Sequence, residues 1–121
     1  MLAPQAQAST VSIQPVVTLT APDHKTTIGF AAYQFDYRYV TVLAAIDHPK
    51  ANTDYQVKVL VMHNGFNSFD AVTVCTIHAT STNRAACIAK VKAPTRHHND
   101  TTVIAVSYGS PMRWAGWSEK I

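Results

Sequence analysis

The sequence predicts an α+β chain in which strands come first and a helical segment comes last. Apolar and β-branched runs alternate with turn clusters from Val11 to His78, and the pattern changes after Thr80 to cap-forming and then helix-forming residues. With 121 residues, the chain fits one domain spanning 1–121. It divides into a polar arm over 1–10, strands over 11–78, and a helix with a C-terminal tail over 81–121.

Val11-Ser12-Ile13-Gln14 and Val16-Val17-Thr18-Leu19-Thr20 flank Pro15, which cannot sit in a central strand, so an edge hairpin is expected there. Ala21-Pro22-Asp23-His24 forms a turn, and Thr26 to Tyr33 is a further short strand. Tyr39 to Ile46 is a long strand ending at Asp47-His48-Pro49-Lys50-Ala51-Asn52. Tyr55 to Met62 alternates, with Val57, Val59 and Val61 on one face and Gln56, Lys58, Leu60 and Met62 on the other. Asn64-Gly65 signals a hairpin, and Phe69 to His78 is the return strand. Thr80-Ser81-Thr82-Asn83 then offers N-cap side chains to a helix over Arg84 to Lys92, which carries cations in its last turn and is stopped by Pro94. Thr101 to Ser107 fits either a short helix or a strand, and Gly109 to Ile121 reads as an irregular tail.

Composition is 47% hydrophobic and only 14% charged, which excludes a disordered chain and leaves few charges to solvate a monomer's surface. The net charge of +3, with six histidines, suits an anionic partner such as nucleic acid. The N-terminus lacks the basic start and apolar run of a signal peptide, and no stretch is long enough to span a membrane. Met1 is therefore read as the start of a cytosolic product; the alternative is that Ala6-Gln7-Ala8 is the stump of a cleaved signal. Under the cytosolic reading Cys75 and Cys87 are expected to be free thiols.

Three stretches resemble the coat proteins of single-stranded RNA bacteriophages. Arg38 and Val40-Thr41-Val42, followed after a turn by Tyr55-Gln56-Val57-Lys58-Val59, are similar to that family's central strands. Phe69-Asp70-Ala71-Val72-Thr73 is similar to the next strand, and Thr80 to Ala85 to the Ser/Thr-rich cap of its first helix. The resemblance covers Arg38 to Lys92. It implies a meander sheet with the C-terminal helical segment of each subunit packed over its partner's sheet, in an intertwined homodimer. The implied function is structural: assembly into an icosahedral virion shell in the bacterial host cytoplasm, binding of genomic RNA on the inner sheet face, and translational repression through an RNA hairpin.

On that reading the RNA face carries Thr41, Leu43, Gln56, Lys58, Phe69, Thr73 and Cys75. Lys58 would neutralise phosphate, Thr41, Gln56 and Thr73 would hydrogen-bond, and Phe69 would stack on a splayed base. Val57, Val59, Val72 and Val74 need an apolar cover that one short helix cannot supply, and a dimer would supply it through Ile88, Val91 and Cys87.

His97-His98, with His63 and His78 elsewhere, lacks the spacing of a metal site, so neither metal nor cofactor is expected. Cys75 and His78 would point to opposite faces of a regular strand, so neither catalysis nor a small-molecule substrate is expected. The alternative is a secreted β-sandwich module that binds carbohydrate or a host protein. It would carry a Cys75–Cys87 bridge, with Trp114 and Trp117 as its contact surface.

Overall fold

The computed structural model describes residues 15–64 and 68–121. The arm over 1–10, the Val11–Gln14 stretch and Gly65 lie outside these residues. Among the described residues are eight strands and no helix: β1 (Val16–Thr20), β2 (Thr27–Asp36), β3 (Tyr39–Ile46), β4 (Thr53–His63), β5 (Ser68–Ala79), β6 (Ala85–Lys92), β7 (Thr101–Tyr108) and β8 (Arg113–Trp117). The chain is thus all-β, not α+β.

The strands form one antiparallel sheet in the order β5-β4-β7-β8-β1-β2-β3-β6. Its thinnest link is β8 to β1, where the register holds a single pair, Thr20 with Trp117. Backbones run so close there that a Cβ on Gly116 would sit 2.5 Å from the Thr20 carbonyl oxygen. β1 accordingly lies between β8 and β2 rather than at the edge expected from Pro15. The two strands that end the order, β5 and β6, lie against each other and are joined by a Cys75–Cys87 disulfide. The sheet curls into a nearly closed barrel, and the expectation of free thiols is corrected.

The Arg84–Lys92 helix is corrected to strand β6. Ala, Lys and Arg favour a helix locally, but eight or nine residues make a marginal helix without tertiary support. As a strand, the segment places Ala85, Cys87, Ala89 and Val91 inward and Ala86, Ile88, Lys90 and Lys92 outward, and it pairs along the whole of β3. The C-terminal tail also corrects to structure, with β7 fully paired to β4 and β8 paired to β7.

Inward residues from both halves of the barrel form one core, including Leu19, Ala31, Val40, Val42, Val57, Val59, Ile77, Ile104 and Val106. Val57 and Val59 are fully buried, each worth roughly 1.5–3 kcal/mol. Their cover comes from strands of the same chain, which removes the reason given for a helix-swapped dimer. Ile88, Val91 and Cys87 do not form one stripe: Ile88 faces solvent, while Val91 and Cys87 face the core.

Candidate functional site

Alternation along β4 sends Val57 and Val59 inward and Gln56, Lys58, Leu60 and Met62 outward. Register then fixes their neighbours. On β7, Leu60 lies opposite Val103, Met62 opposite Thr101 and Lys58 opposite Ala105. On β5, Met62 lies opposite Phe69, Leu60 opposite Ala71 and Lys58 opposite Thr73.

β8 completes this face through an irregularity. Residues three apart on a regular strand point to opposite sides, but the register shift between Val106 and Ser107 pairs Trp114 with Ser107 and Trp117 with Ala105. Both indoles therefore turn outward. Leu60, Val103 and Ala105 are buried beneath Met62, Trp114 and Trp117, forming a second apolar cluster on the outside of the barrel.

A cleft of about 710 Å³ opens over this cluster. Its floor is Leu60, Met62, Val103 and the two tryptophans, and Phe69, 52% exposed, stands at one side. His24, on the β1–β2 turn, meets Trp117 edge-on with ring centroids 6.0 Å apart. The Lys58 ammonium lies 5.6 Å from the centre of the Trp114 ring, a cation–π contact at the margin. Thr101, Glu119 and Lys120 supply a polar rim, while the buried Ser118 hydroxyl is committed to the Ile104 N–H and the Glu119 carbonyl.

A histidine clamp braces the same end of the barrel. His63 Nδ1 lies 2.8 Å from Asp100 Oδ2, and Nε2 lies 2.9 Å from Asp70 Oδ2. A neutral imidazole donates from one nitrogen only, so both contacts are donated only by the imidazolium. The Asp70 carboxylate, with Asp100 behind it, raises the His63 pKa above its ordinary value. The Asp100 carboxyl is held below the usual range by the His97 backbone N–H, with His63 adding to the effect. The clamp ties the end of β4, next to Met62, to the residues beside Phe69 and Thr101.

Comparison with known proteins found no matching family model, no matching curated protein and no matching solved structure. The functional reading therefore rests on this geometry.

Of the residues singled out from sequence for RNA, Gln56, Lys58, Phe69 and Thr73 do share the outward face of β4 and β5. Thr41 and Leu43 face outward from β3, which is separated from β5 by β6 across the disulfide-bridged seam and from β4 by β7, β8, β1 and β2 the other way round. Cys75 is corrected: the register shift between Val57 and Lys58 turns it toward the core, where it bonds Cys87. Among the described residues no group of three or more His, Cys, Asp or Glu side chains could hold a metal ion, His97-His98 included. Sequence reasoning missed the contribution of Leu60, Met62 and Val103, although Leu60 and Met62 on a nominally polar strand face were a legible signal.

Proposed function

We propose that the chain is a non-enzymatic, secreted binding module that takes a protein ligand in the cleft over Trp114 and Trp117. One observation carries this reading. Leu60, Met62, Phe69, Val103, Trp114 and Trp117, drawn from four strands, gather on the outside of a barrel whose core is already complete.

The outward face of an antiparallel strand is ordinarily polar, and a contiguous apolar patch with a polar rim has the anatomy of a protein interface. Tryptophan supplies the strongest anchors in such interfaces, and methionine adapts to varied partners. A floor of Leu60, Met62 and Val103 would leave sugar hydroxyls without partners, which favours a protein ligand over a saccharide. The Cys75–Cys87 bond supports an oxidising compartment.

The test is binding of labelled protein to candidate host cells. Binding should fall on the order of tenfold or more with Trp117→Ser, since truncating an anchor typically costs at least ~2 kcal/mol. Protease treatment of the cells should abolish it, and glycosidase treatment should not. Glycosidase-sensitive, protease-resistant binding would point to a saccharide instead.

A second reading, an RNA-phage coat subunit, draws support from Gln56, Lys58, Phe69 and Thr73 lying on one face. It requires shell-sized particles that contain RNA.

A further inference from the structure

We infer that a cation-lined groove between the β2–β3 turn and the end of β6 binds a sulfated polysaccharide. The groove, about 590 Å³, is bordered by Phe35, Tyr37, Arg38, Lys92 and Arg96. None of the residues lining it is acidic.

The charges are uncommitted. Among the described residues the ion pairs of basic side chains other than histidine are Arg84 with Asp47 and Lys90 with Asp36, so Arg38, Lys92 and Arg96 have no carboxylate partner. The three come from separate segments: Arg38 from the β2–β3 turn, Lys92 from the end of β6, and Arg96 from the chain beyond it. All are exposed. Guanidinium groups bind tetrahedral oxyanions through paired N–H donors, and an ammonium contributes a point charge. Three cations from separate segments lining one groove match a ligand with repeated anionic groups.

Aromatic faces stand beside the charges. Asp36 pairs with Tyr39, leaving Tyr37-Arg38 as a two-residue turn. Tyr37 occupies it at φ 59°, a left-handed conformation that Asn or Gly adopts more readily. It is 86% exposed, and Phe35 beside it is 44% exposed. The Arg38 guanidinium lies 5.2 Å from the Tyr37 ring centre. A bulky, solvent-facing ring at a turn position suited to smaller residues points to a contact role. Flat aromatic faces with adjacent cations fit a sugar ring bearing sulfates.

Nucleic acid shares part of this chemistry. The choice of a glycan rests on the oxidising compartment proposed above, in which sulfated glycans are the abundant polyanions a secreted chain would meet.

The test is titration calorimetry of the full chain with a size-defined heparin fragment at about 150 mM salt, where exposed charges are substantially screened. The same fragment after desulfation and a single-stranded uridine oligomer serve as comparison ligands. Affinity should fall on the order of tenfold with Lys92→Ala plus Arg96→Ala, a change of roughly 1.4 kcal/mol. It should fall several-fold with Tyr37→Asn, which keeps the net charge and suits the turn. Lys25→Ala, an exposed charge on another turn, should have a much smaller effect. Trp117→Ser should bind the heparin fragment as the unaltered chain does, whatever becomes of the cleft reading. Absent heparin binding, equal loss with Lys25→Ala, indifference to Tyr37→Asn, or preference for the desulfated fragment or the uridine oligomer would each overturn the proposal.

Discussion

Cys75 and Cys87 join the two strands at opposite ends of the sheet order, closing with one covalent bond a seam that no strand pairing spans. The cysteines are 12 residues apart, and closing a loop of that size in the unfolded chain stabilises the fold by about 3 kcal/mol. Replacing both with serine should lower the urea-unfolding free energy by about that amount, without abolishing folding of a barrel whose other seven junctions are strand pairings. A change below about 1 kcal/mol would mean that the seam is held by packing alone.

The parity of β6 is testable at neighbouring positions. Ile88→Asp places its carboxylate in solvent and should shift stability by no more than about 0.5 kcal/mol. Ala89→Asp points its carboxylate at the core and should cost about 2 kcal/mol or more. The two unfolding midpoints decide between this strand and the helix expected from sequence, because that helix would bury Ile88 and make Ile88→Asp the costly substitution.

His63 makes the cleft's bracing depend on pH. Its folded pKa is raised above the ordinary value of about 6.5, so the clamp's contribution is fully present below about pH 6.5 and is lost as pH rises through the folded value. Asp70, Asp100 and the His97 ring, 6.5 Å away, are the titratable groups facing it. Following the imidazole resonances by NMR should give a His63 midpoint above 6.5, and His63→Gln should remove the corresponding slope in stability. Titration at or below 6.5 would mean that the two carboxylate contacts do not form together in solution.

Gly116 marks the narrow β8–β1 junction. Gly116→Val should destabilise by about 2 kcal/mol or more, because any Cβ meets the Thr20 backbone. Thermal unfolding measures this, and an unchanged midpoint would show that β1 can move aside.

Most of β2 to β5 was legible because each strand is long, β-branched and bounded by turn residues. Alternation also placed Gln56, Lys58, Phe69 and Thr73 on one face correctly. β6 was not legible, because its alanines and lysines favour a helix and only its pairing along β3 decides the matter. The two register shifts hid the rest. One turned Cys75 inward, and the other brought Trp114 and Trp117 to the same side despite a spacing of three. The clamp was hidden for another reason: His63 reaches Asp70 and Asp100 across 7 and 37 residues, separations that leave no local pattern.

The central claim is that one chain completes its own core and leaves an apolar cleft for a ligand. Size-exclusion chromatography with light scattering, monitored at 260 and 280 nm, tests it most directly. A monomer near 13.2 kDa without excess absorbance at 260 nm is the expected result. Megadalton particles rich in absorbance at 260 nm would contradict it, and would show that the outer faces of this barrel pack a shell around nucleic acid.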